Sequence, residues 1–133
     1  SSIDSYTVAY ANPRLAPYGK AALEVMKALS LFESLERNLV QGENISQVYQ
    51  FVFTGNAELG FVAQSQIPQN GKLGIGSSWV IPAALHSPIK QDVVLLSRAK
   101  DNVAAREFMS FLSLPSSQAV IRSYGYESGV SAR

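Results

Sequence analysis

Apolar positions along this chain change period several times, and each change marks an element. YTVAYAN (residues 6–12) is a short β-rich run closed by Asn-Pro, a turn signal. A helix over residues 19–29 follows, because Ala22, Val25, Met26 and Leu29 fall at i, i+3, i+4 and i+7 and form one apolar stripe. LFESLERNLVQ (31–41) holds a short helical piece and then a brief strand over 39–41. In GENISQVYQFVFTGNAELGFVAQSQI (42–67), Asn44 is an N-cap candidate with Gln47 three residues on, the spacing of a capping box. Val48, Tyr49, Val52 and Phe53 are the expected buried face of that helix. Gly55 and Asn56 tolerate positive φ and end it. ELGFVAQ (58–64) then reads as a buried strand.

The second half is patterned more loosely. IPQNGKLGIGSS (67–78) is a Gly-rich loop, and SWVIP (78–82) and QDVVLLSR (91–98) read as two strands around AALHSP. Asp101 or Asn102 caps a helix through Ala104, Phe108, Phe111 and Leu112. Pro115, Ser116 and Ser117 open another, which ends at Tyr124-Gly125. Strands alternating with helices specify an α/β fold with a mainly parallel sheet. Ligands of such sheets bind beyond the carboxyl ends of the strands, where helices begin. Two places meet that description: the turn before Gly19 and the turn before Ile45.

Composition narrows the classes. The 133 residues are 47% hydrophobic, enough for one domain with a true core, and the net charge of +1 gives no field for nucleic acid. No apolar run approaches the roughly 18 residues of a membrane span. The chain has no Cys, so disulfides, thiolate nucleophiles and sulfur-ligated metals are excluded; this suits an exported bacterial protein. The opening SSIDSYTVAY carries no signal-peptide pattern and reads as a polar lead into a strand.

Catalytic chemistry finds little to stand on. His86 is the one histidine, in a loop flanked by Pro82 and Pro88. There is no Gly-x-Ser-x-Gly elbow, no His-x-x-x-His pair and no Asp-x-Asp-x-Asp loop. Glu33 and Glu36 lie at helical spacing on a polar surface, and GKLGIG lacks both phosphate-loop fingerprints. The expectation is a protein that is not an enzyme and needs no cofactor or protein-ligated metal. What remains is anion binding by helix N-termini, whose first N–H groups have no internal partner and face the positive end of the dipole. In APYGKAA (16–22), Pro17 preorganises the turn, the amides of Tyr18 and Gly19 are expected to point outward, and Gly19 would let a ligand approach the backbone. In GENISQ (42–47), Ile45 and Ser46 supply the donors behind the Asn44 cap. From the residues alone, capping and water satisfy such groups equally well.

Four stretches together resemble the C-terminal half of the periplasmic molybdate-binding proteins (ModA) of bacterial ABC importers: ANPRLAPYGKAALE, ENISQVYQFVFTGNAELGFVAQSQI, HSPIKQDVVLL and FMSFLSLPSSQAVIRSYGYE. The last is widespread among periplasmic binding proteins; the first two belong more specifically to the molybdate branch. The resemblance implies a periplasmic-binding-protein fold of type II, two α/β lobes clamping an oxyanion. Residues 1–88 would be the second lobe, and residues 89–133 the returning hinge strand (89–98) and C-terminal helices that pack on the first lobe. Most of that first lobe would lie outside this chain.

By position, the resemblance implies amide donors at Tyr18 and Ile45, with Gly19, Asn44 and Ser46 beside them. Some members add a tyrosine hydroxyl where this chain has Ala63, and Tyr18 would take its place. The ligand would be molybdate or tungstate, the partner a membrane permease, and the location the periplasm. Unpartnered Phe108, Phe111, Leu112, Val120 and Ile121 would favour a homodimer. Two alternatives stay open: a lobe for another small anion or an amino acid, with Arg14 gripping a carboxylate, or a ligand-free self-associating module.

Overall fold

A computed structural model describes residues 5–67 and 76–127. They fall into two units, one of residues 5–67 with 76–89 and the other of residues 90–127.

The first unit is built on three parallel strands in the order β2-β1-β3: β1 (Val8–Ala11), β2 (Leu39–Gly42) and β3 (Leu59–Gly60). Helix α1 (Pro17–Ala28) and a short α2 (Phe32–Leu35), extended by a 3₁₀ turn, lie between β1 and β2. Helix α3 (Ile45–Phe53) joins β2 to β3. Side chains alternate along the central strand, so β1 serves two cores. Val8 and Tyr10 pack with Met26, Leu35, Leu23 and Leu39 beneath α1 and α2. Ala9 and Ala11 face the other way, against Val48, Ala57, Phe51 and Val52 of the α3 side. The alanines keep that face thin and let α3 lie close. Each fully buried Met26, Leu35, Val25 and Val48 contributes about 1.5–3 kcal/mol of burial.

Helix ends follow local chemistry. Both α1 and α3 stop in a Schellman motif. Leu31 N–H reaches the Met26 carbonyl at 2.8 Å and Ser30 N–H the Lys27 carbonyl at 3.0 Å, with Ser30 in the left-handed region at φ 57°. At α3, Asn56 N–H bonds to Phe51 at 2.8 Å and Gly55 N–H to Val52 at 3.1 Å, with Gly55 at φ 75°.

Several expectations are corrected. Leu29 is the C-cap of α1 and is exposed, since the helix ends before its stripe is complete. Phe53 is 56% exposed. The buried side of α3 is drawn from Ile45, Val48, Phe51 and Val52, and Phe53 stacks on half-buried Tyr49 at 6.0 Å instead. ELGFVAQ pairs only at Leu59–Gly60, on the sheet edge, with Leu59 exposed. SWVIP and QDVVLLSR form no strands: Trp79, Val80, Val93 and Val94 are exposed, and their backbones meet no ladder partner among the described residues. An extended segment without a neighbour is not a strand. Most of the Gly-rich loop lies outside the described residues.

The second unit holds α4 (Val103–Leu112) and α5 (Pro115–Ser123). Asn102 caps α4 through its side chain and the Ala105 N–H at 3.1 Å; Asp101 does not. Tyr124-Gly125 ends α5, with Gly125 at φ 83°.

Candidate functional site

Because the three strands are parallel, their carboxyl ends share one edge, and α1 and α3 both start from it. The two helices leave adjacent strands toward opposite faces, so their N-termini flank the carboxyl ends of β1 and β2. Asn12 N–H, just past β1, bonds to Gly42 O at the end of β2 at 2.7 Å and ties the two exits together.

At the mouth of α3, Asn44 has extended backbone and its Oδ1 accepts the Gln47 N–H at 2.9 Å. Gln47 answers with its side chain, but one residue earlier than a capping box requires: its Oε1 accepts the Glu43 N–H at 2.7 Å. Asn44 therefore acts as the cap. The N–H groups of Ile45 and Ser46 have no acceptor among the described residues. No acidic side chain stands in the first turn to compete for them.

The mouth of α1 differs. Ala16 is the N-cap and has no side chain to offer, Pro17 opens the helix, and no acidic residue stands in the first turn. Tyr18, half-buried, is the first residue there with an N–H. Gly19 departs from expectation. Its N–H donates to the Ala16 carbonyl at 3.0 Å, and the residue is buried. A Cβ at that position would run into the Ala11 carbonyl oxygen. Glycine stands here so that α1 can lie against the end of β1; the close approach is made by the chain itself. The turn before it is braced by Asn12, whose carbonyl accepts from Ala16 at 2.9 Å and whose Oδ1 accepts from Arg14 N–H at 2.9 Å. Arg14 is exposed.

A third segment reaches the α3 mouth. Ala63, at the end of the run that follows β3, is buried and has no hydroxyl. Its N–H donates to Gln66 Oε1 at 2.9 Å, and Gln66 Nε2 donates to the Ile45 carbonyl at 3.3 Å. Sequence reading missed Asn12 and Gln66. The signal for Gln66 was present: AQSQ repeats the three-residue spacing to Gln seen in NISQ.

Groups of other chemistry lie elsewhere. His86 Nδ1 meets the Ser87 carbonyl at 2.8 Å; a carbonyl only accepts, so that nitrogen carries a proton. Glu33 and Glu36 are exposed. Glu24 accepts the Ser87 N–H and faces Lys20 at 3.9 Å. The Ser87 bond is the main reason its carboxyl is held below the usual range. No cluster of three or more His, Cys, Asp or Glu that could hold a metal occurs among the described residues. A shallow groove of about 370 Å³ lies on the second unit, lined by Val103, Arg106, Glu107, Ser110, Phe111 and Leu114. Its lining is mostly apolar and does not suit an oxyanion.

The profile of the bacterial extracellular solute-binding proteins matches residues 4–127. This chain belongs to that family. Among its relatives, the molybdate-binding protein ModA of Azotobacter vinelandii is 51% identical over 87% of the chain. ModA of Rhodobacter capsulatus is 52% identical over 90% of it. The chain spans about half the length of these curated relatives, 46% of each. The solved periplasmic molybdate-binding protein of Azotobacter vinelandii superposes with a TM-score of 0.82 at 33% identity, over 92% of this chain and 54% of that one. The fold is therefore that of a substrate-binding protein. No helix among the described residues of this solute-binding-family chain is long and apolar enough to cross a membrane.

Proposed function

We propose that this chain is the C-terminal portion of a periplasmic molybdate-binding component of an ABC importer. Residues 1–88 form its second lobe, and residues 89–133 the hinge strand and C-terminal helices. The observation that carries this reading is the pair of helix-mouth amides, Ile45 and Ser46, without an acceptor among the described residues, in a chain half-identical to named molybdate-binding proteins. Tyr18, at the mouth of α1, is the second contact of this reading. Asn44 and Gly19 serve as cap and packing contact and leave the ligand to these donors.

Neutral donors suit this task. Molybdate is a tetrahedral dianion, and each hydrogen bond to it contributes about 1.5–3 kcal/mol without a buried Lys or Arg. Helix dipoles add to that. Such a grip also releases its anion to a membrane permease more readily than a salt bridge would. Tungstate, of nearly equal size, competes. The chain binds rather than catalyses and takes no nucleic acid.

Calorimetry on the full-length protein tests the reading. Ile45→Pro deletes one donor at the first helical position, where proline is tolerated after an extended residue such as Asn44. Affinity for molybdate is expected to fall on the order of tenfold or more. Unchanged affinity removes the α3 mouth from the site, and a wild-type protein silent to both oxyanions removes the function. Because the chain spans about half the length of its molybdate-binding relatives, these 133 residues by themselves are expected to bind only weakly at millimolar molybdate. Its exposed Phe108 and Phe111 support self-association into a homodimer, which sedimentation measures.

A further inference from the structure

We infer that Gln66 is a positioning residue of this site, aligning and polarising the Ser46 amide through a relay of three amide groups. The inference rests on the oxyanion reading above. Ala63 N–H donates to Gln66 Oε1 at 2.9 Å, and Gln66 Nε2 donates to the Ile45 carbonyl at 3.3 Å. Only this orientation of the side-chain amide satisfies both neighbours, since the first can only donate and the second only accept.

The Ile45 carbonyl and the Ser46 N–H belong to one peptide group, planar and rigid. A hydrogen bond on that oxygen therefore fixes the direction of that N–H. It also draws charge toward the oxygen and leaves the N–H a stronger donor, as in any chain of amides linked head to tail. The order is Ala63 amide, Gln66 side chain, Ile45–Ser46 peptide, and an anion would be the last acceptor. Every link points the same way. The carbonyl has two lone pairs, so the helix can keep its own bond beside Gln66.

A bridge that only braces the chain and a relay that tunes a donor differ in what glutamate does at this position. Gln66→Glu keeps an oxygen for the Ala63 N–H but has no N–H for Ile45, and it places a negative charge next to the anion. Urea midpoints and molybdate calorimetry of the full-length protein are read together. The relay predicts a midpoint close to wild type and affinity lowered on the order of tenfold or more. Wild-type affinity in Gln66→Glu overturns it. Gln66→Met, of similar size and without charge or either polar group, is measured beside it: affinity lowered in both variants supports the relay, and affinity lowered in Gln66→Glu alone, which is charge repulsion, overturns it. The amide proton resonance of Ser46 in the anion-free protein supplies a reading independent of binding. It is expected to move upfield in the variant, and an unmoved resonance overturns the relay. Should the wild type show no response to molybdate while the Ser46 resonance shifts as expected, the assigned ligand fails and the relay stands.

Discussion

The two units carry helices of equal local quality and bury them very unequally. Helix α3 in the first unit and α4 in the second both begin at an asparagine whose side chain takes the N–H three residues on, at 2.9 Å and 3.1 Å. Each has a well-defined apolar stripe. In the first unit those stripes meet a parallel sheet, and Met26, Val48 and Ala9 lose all contact with solvent. In the second, Phe108 and Phe111 stay 55% and 53% exposed and stack on each other at 6.4 Å. Ser117 is the one buried polar side chain among the described residues, and its hydroxyl has no partner there. A cap and a stripe thus suffice to place a helix, while a core requires a second surface.

The sharpest way to break this comparison is to truncate one side chain in each unit. Met26→Ala is expected to cost about 2–5 kcal/mol in urea unfolding. Phe111→Ala should stay within about 0.5 kcal/mol at concentrations where the chain is monomeric, as surface changes do. Equal losses would mean that the second unit buries its helices after all. Next in size is Gly19→Ala, because its Cβ meets backbone that cannot move without disturbing the sheet. A loss of about 1–3 kcal/mol is expected from such overpacking, and a neutral result would remove the close α1–β1 approach from the account.

The smallest effect concerns acid. The Thr7 N–H bonded to Glu58 at 2.8 Å lowers that carboxyl below its ordinary range, as the Ser87 N–H lowers Glu24. Both sit in the first unit. A lowered folded value means stability that is present above the ordinary glutamate value of about 4.3 and lost as pH falls through and below it. Thermal midpoints of the first unit should drop in that window. Glu58→Gln should flatten the drop, and an unchanged slope would show that the Thr7 contact carries no linkage.

The candidate site was partly legible. Asn44 with Gln47, and Pro17 with the acid-free turn after it, announced two helix mouths, and the α/β alternation put both on one edge. Gly19 was misread because a glycine beside a helix start looks the same whether a ligand or a strand comes close. Gln66 was unread because its partner, the Ile45 carbonyl, lies 21 residues away.

By itself the sequence determined most helix ends to within a residue or two. Asn44, Asn102, Pro17, Gly55 and Gly125 act on backbone groups within a few residues, so their chemistry needs no fold to be predicted. The tertiary structure alone decided which apolar residues are buried, why Phe51 and not Phe53 enters the core, and why residues 78–82 and 91–98 join no strand ladder among the described residues. It also decided what Gly19 and Gln66 do. Burial, strand pairing and the polarisation of a distant amide all require a partner remote in the chain, and only folding supplies one.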